Sequence, residues 1–107
     1  MDILEQIIAA KRLELPKIQA AIQALSDDDL ARLHAPKPSL RQALLDSPTG
    51  IIAEFKRRSP SKGWIKEDGR ADVIPLSYQQ NGAAALSILT DEQYFGGHDD
   101  YIRQARK

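Results

Sequence analysis

Cysteine is missing from all 107 residues of the sequence. Its absence excludes disulfides, thiol nucleophiles and cysteine-held zinc or iron–sulfur centres, and it fits a reducing compartment. Histidine occurs only as His34 and His98, both expected in loops, and two such residues furnish no metal site. Net charge is missing too, because fifteen basic residues balance fifteen acidic ones. Such a chain is not held on nucleic acid by bulk electrostatics, although a local basic patch remains compatible with neutrality. Long apolar runs are likewise absent: nothing approaches the ~20 residues of a bilayer span. Met1 is followed by Asp2 and Glu5 instead of a signal-peptide layout. The expectation is a cytoplasmic, globular chain with no membrane partner.

What is present begins with helical periodicity. Ile3, Leu4, Ile7 and Ile8 share one helical face, and Ile18, Ala21, Ile22 and Leu25 continue it beyond Pro16. Proline lacks the N–H for an i to i−4 bond, so Pro16 is expected either to kink one helix or to start a second. Ser26 with Asp29 forms a capping-box pattern that opens a short helix to about Leu33. Ser39 with Gln42 repeats it after a proline-bearing loop, predicting a helix through Leu44 with Leu40, Leu44 and Leu45 turned inward. Residues 1–48 therefore read as a helical amino-terminal extension.

Residues 49–107 read as two strand-loop-helix units. The stretch from Ile51 is β-branched at its start and bounded by Pro48-Thr49-Gly50 and Ser59-Pro60, which predicts a strand from about Gly50 to Lys56. Alternation puts Ile51, Ala53 and Phe55 on one face and Ile52, Glu54 and Lys56 on the other, so a carboxylate and an ammonium share the strand's far end. Ser59 to Ala71, rich in Ser, Pro, Gly and charge, predicts a long loop. A helix over Asp72 to Gln80 should hold Pro75 in its first turn and end at Asn81-Gly82 in a left-handed cap. Ala83 to Leu89 predicts a buried strand with Ala85, Ser87 and Leu89 on one face, followed by a loop to Gly97 and a helix from Asp99. Two such units build a parallel sheet, so the fold class is α/β.

Two stretches, Glu54-Phe55-Lys56-Arg57-Arg58-Ser59-Pro60-Ser61-Lys62-Gly63 and Ser87-Ile88-Leu89-Thr90-Asp91-Glu92-Gln93-Tyr94-Phe95, resemble the indole-3-glycerol phosphate synthase family in sequence and in order. The amino-terminal Ile7-Ile8-Ala9-Ala10-Lys11-Arg12 also resembles it. The resemblance implies the amino-terminal part of a (β/α)₈ TIM barrel, its first two βα units, with a helical extension in front. It implies a carbon–carbon lyase of tryptophan biosynthesis that closes the ring of 1-(2-carboxyphenylamino)-1-deoxyribulose 5-phosphate with loss of carbon dioxide and water. No metal or organic cofactor is implied. Glu54 and Lys56 would be catalytic, Lys56 also meeting the phosphorylated substrate. Ser59 and Pro60 would line its anthranilate end, and Ser87 and Phe95 the same pocket. The family's principal acid, a lysine on strand three, and a glutamate on strand five would lie beyond Lys107.

Plainer readings stand beside these. Glu54 and Lys56 also fit an ion pair on a half-wet strand, Ser59-Pro60 a simple turn, and Phe95 a core residue. Arg57, Arg58 and Lys62 beside Trp64 fit a nucleic-acid patch less well than a solvated loop or a small phosphorylated ligand, given Glu67, Asp68 and Asp72 nearby. Asp91 and Glu92 read as a helix cap and surface charge. A barrel of this kind needs ~250 residues, so the competing expectation is a non-catalytic fragment that associates with itself or with a complementary barrel fragment. Phosphoribosylanthranilate isomerase, a sister phosphate-binding barrel, fits less well because that family uses a strand-one cysteine.

Overall fold

A computed structural model describes residues 2–106, which divide into two compact units that meet in sequence between Lys37 and Pro38. Lys107, the end of the expected last helix, lies outside the described residues.

In the first unit, α1 (Ile3–Gln23) opens where the Asp2 carboxylate accepts from the Glu5 N–H at 2.8 Å. It continues unbroken through Pro16, so of the two outcomes expected there the start of a second helix does not occur. An interior proline costs about 3 kcal/mol, and here the flanking Ala, Leu, Glu, Lys and Gln favour helix strongly enough to carry it. Ile3, Leu4, Ile8, Ile18 and Ile22 are exposed within this unit, whereas Ile7 and Leu25 are partly covered. The Ser26–Asp29 capping box is closed in both directions, at 3.1 and 3.2 Å, and starts α2 (Asp27–His34). His34 is thus the last helical residue and not a loop residue. The Lys37 ammonium donates to the Leu33 and Ala35 carbonyls, two groups that the helix end leaves without helical donors.

The second unit starts with α3 (Leu40–Asp46), which packs on a strand of this unit instead of belonging with the first two helices. Its cap is only half a box. Ser39 accepts from the Gln42 N–H at 3.1 Å, but the Gln42 amide reaches forward to Asp46 at 2.8 Å. Leu40 and Leu45 are exposed and Leu44 alone is partly buried, contrary to the inward turn expected of all three. A helix of two turns covers its neighbour with a narrow stripe only.

Strands β1 (Ile52–Phe55) and β4 (Ala85–Ile88) pair in parallel, with Ile52 beside Ala85, Glu54 beside Ser87 and Phe55 beside Ile88. Bonds from the Ala84 N–H to Ile51 O at 2.8 Å and from the Leu89 N–H to Phe55 O at 3.1 Å extend the ladder at both ends. Between the strands runs α4 (Ile74–Gln80), packed on both, with Pro75 buried in its first turn. The left-handed residue after it is Gly82, at φ 102°, and not Asn81. Phe55, 3 % exposed, faces α6 (Asp100–Ala105), where the Tyr101 ring meets it edge-on at 5.8 Å.

The segment expected as one long loop after β1 contains a small hairpin. Strand β2 (Arg58–Ser59) pairs antiparallel with β3 (Gly63–Trp64). Its turn closes because the Ser59 hydroxyl accepts from the Lys62 N–H at 3.1 Å and Gly63 takes φ 66°. The segment after β4 likewise contains one helical turn, α5 (Glu92–Phe95), capped by Asp91, whose carboxylate accepts from the Tyr94 N–H at 2.8 Å. No described helix is long and apolar enough to cross a membrane.

Candidate functional site

The parallel register brings three of the sequence-predicted residues into one row. Glu54 and Ser87 are lateral neighbours, and in a parallel pair such neighbours project from the same face. The Ser87 hydroxyl donates to Glu54 Oε2 at 3.0 Å. Two residues further along β1, Lys56 Nζ lies 3.7 Å from Glu54 Oε1. Each carboxylate oxygen therefore has its own neighbour. The side chains of Lys56 and Glu54 keep 32 % and 47 % of their surface accessible, so the pair is fixed in direction yet open to a ligand. The ammonium has three donors, and the carboxylate restrains where they point. Chemically, the row offers a positioned cation beside an acceptor at the carboxyl ends of two parallel strands, where α/β folds place ligands.

Ser59, Pro60 and Phe95 occupy the segments that leave those same strand ends, but no hydrogen bond or ion pair joins them to the row among the described residues. Ser59 is 7 % exposed and its hydroxyl is engaged in its own turn, 3.5 Å from that of Ser61. Pro60 is exposed, and Phe95, the last residue of α5, is half-buried.

Arg57 has a role that the sequence reading missed. Its Nη1 donates to the Gly96 carbonyl at 3.3 Å and to the Tyr101 hydroxyl, and its Nη2 donates to the Glu67 carbonyl. The guanidinium lies 5.2 Å from the Trp64 ring centroid and 5.9 Å from that of Tyr101. Arg58 stacks on the same indole at 5.5 Å and donates to the Gln93 carbonyl at 3.3 Å. These arginines thus tie loops together within the fold. Arg57 lies beyond the end of β1, and its side chain meets Tyr101 on the helix that Phe55 faces. A cavity of about 480 Å³ opens on that side, lined by Arg57, Asp72, Tyr101 and Gln104 among others, and not by Glu54 or Lys56. At its rim the Asp72 carboxylate, by hydrogen bond and charge, raises the Arg70 pKa.

With this geometry in place, the similarity to known proteins can be located. The family model for indole-3-glycerol phosphate synthase matches residues 4–107. The chain is 52 % identical over 108 residues to the indole-3-glycerol phosphate synthase of Bacteroides thetaiotaomicron, covering 98 % of this chain and 40 % of that protein. It is 41 % identical over 109 residues to the enzyme of that name from Leptothrix cholodnii, with 98 % and 42 % covered. With the one from Neisseria meningitidis serogroup B it shares 42 % over 111 residues, covering 99 % and 42 %. The chain thus spans about two fifths of the length of these curated relatives. Because the match takes in the β1 row, the hairpin and the β4 segment alike, the chain belongs to the indole-3-glycerol phosphate synthase family.

Proposed function

We propose that the chain supplies the helical extension and first two βα units of a (β/α)₈ barrel that converts 1-(2-carboxyphenylamino)-1-deoxyribulose 5-phosphate to indole-3-glycerol phosphate. The observation that carries this reading is the row Ser87–Glu54–Lys56 at the carboxyl ends of two parallel strands, the end at which barrels of this kind do their chemistry. Lys56 meets the phosphorylated substrate as a cation near the reacting sugar. Glu54 holds that ammonium and accepts from a substrate hydroxyl, so that positioning and charge act together. Ser59, Pro60 and Phe95 line the aromatic end from the two loops. Proton donation to the ketone oxygen falls to a group on another strand of the barrel.

The test is Lys56→Ala in the full-length polypeptide. A loss of about 100-fold or more in kcat with an unchanged circular-dichroism melt supports the role; near-normal turnover in the folded variant reduces Lys56 to an ion-pair partner.

A second reading, association with another copy or a complementary barrel fragment, is favoured by one observation. Among the described residues β1 and β4 pair only with each other, which leaves the outer edge of each strand unpaired. Light scattering on a mass-verified sample separates a monomer from an assembly.

A further inference from the structure

We propose that Trp64 is a positioning residue for the Glu54–Lys56 pair, a role that rests on the function proposed above. The indole acts as a plate for two cations, with Arg57 at 5.2 Å and Arg58 at 5.5 Å from its centroid. Both guanidiniums donate to carbonyls of the segment after β4, Arg57 to Gly96 and Arg58 to Gln93, each at 3.3 Å, with Arg57 held further by the Tyr101 hydroxyl and the Glu67 carbonyl. The ring also touches that segment directly. A Cβ on Gly96 would stand 2.9 Å from Trp64 Cζ3 and 3.2 Å from Cη2, so the indole occupies the space that any side chain there would need.

Three links therefore reach the turn around α5, one made by the indole itself and two by guanidiniums that lie against it. The site is one peptide bond away, since Arg57 follows Lys56. Glu54 is held from the β4 side by Ser87 and restrains the Lys56 ammonium, while the backbone that carries Lys56 runs directly into Arg57. A hairpin latched to Gly96 fixes that path. Trp64 itself is 47 % exposed, which is more than a residue kept only to fill a core would be.

Trp64→Leu removes the plate, and Trp64→Phe keeps a smaller one. In the full-length polypeptide, Trp64→Leu should lower kcat about tenfold while KM stays within about threefold, and Trp64→Phe should recover most of the loss. Nitrogen-15 relaxation should show the Gly96 and Gly97 amides becoming mobile in Trp64→Leu while those of Ala53 and Leu86 stay rigid. Should Trp64→Leu not fold, Trp64→Phe decides the matter: a folded Trp64→Phe protein with unchanged kcat and rigid Gly96 and Gly97 amides overturns the proposal, and a smaller loss of the same kind supports it. Unchanged kcat in a folded Trp64→Leu protein overturns the proposal. If the unsubstituted protein forms no indole-3-glycerol phosphate, the functional reading fails. Relaxation then judges the latch, and rigid Gly96 and Gly97 amides in Trp64→Leu overturn it.

Discussion

The Ser87 hydroxyl donates to Glu54 at 3.0 Å across the parallel pair, joining two residues 33 positions apart in the chain. Nothing else at this end of the sheet ties a β4 side chain to the charged pair on β1 among the described residues. Ser87→Ala should therefore let the carboxylate swing and take Lys56 with it. Because Glu54 is about half exposed, water replaces the lost donor, and the fold should lose no more than ~1 kcal/mol. Turnover of the full-length polypeptide should fall several-fold more than stability accounts for. Chemical denaturation beside steady-state kinetics checks this, and a Ser87→Ala protein with full turnover would show that Glu54 does not need its neighbour.

Gly97 is buried, and a Cβ there would stand 2.1 Å from the Leu89 carbonyl oxygen and 2.7 Å from the Thr90 carbonyl carbon. Both obstacles are backbone, so no rotamer change relieves the clash. Gly97→Ala should open the turn closed by the Gly97 N–H to Asp91 O bond of 2.7 Å and cost more than about 2 kcal/mol. Gly50→Ala is the control. Its Cβ meets nothing within 4 Å, and only the φ of 62° opposes it, so the cost should stay near ~1 kcal/mol. Equal melting temperatures for the two variants would refute the steric account.

These positions show what the sequence made legible and what it did not. The β1 register was readable because Ile52, Glu54 and Lys56 alternate with Ala53 and Phe55, and a period of two leaves no choice of face once one side is buried. The caps at Ser26 and Asp91 were readable because both partners lie within four residues. The hairpin was not readable, since two-residue strands carry no periodicity and Arg58-Ser59 finds Gly63-Trp64 through a turn. Arg57 was misjudged for a related reason. Its carbonyl partners at Gly96 and Glu67 leave no trace in the side-chain pattern. Leu40 and Leu45 failed in the opposite sense, because apolar spacing predicts a face without saying what will cover it.

The Asp100 carboxyl is held below its ordinary pKa, chiefly by the Gln104 amide donating to it at 2.9 Å; desolvation opposes this, and the Arg103 and His98 charges add smaller downward pulls. A carboxyl whose pKa in the fold lies below its unfolded value stabilises the fold above that unfolded value and stops doing so as pH falls through the folded one. The first turn of α6 should therefore loosen only under acid conditions, from the ordinary carboxylate range downward, and Asp100→Asn should remove that part of the pH dependence. Carbon-13 titration of the Asp100 carboxyl with amide exchange at Tyr101 and Ile102 measures it. An unaltered acid profile in Asp100→Asn would assign the loosening to another group.

The seat of Trp64 on Gly96 and two guanidiniums has a practical corollary. The sequence contains a single tryptophan, so intrinsic emission excited at the red edge of the indole band comes from one location, beside the loops that follow both strands. The chain thus carries its own unlabelled optical gauge. Colour and quenching of that emission report whether the hairpin is docked, and stopped-flow mixing with a ligand can follow docking in real time without a dye.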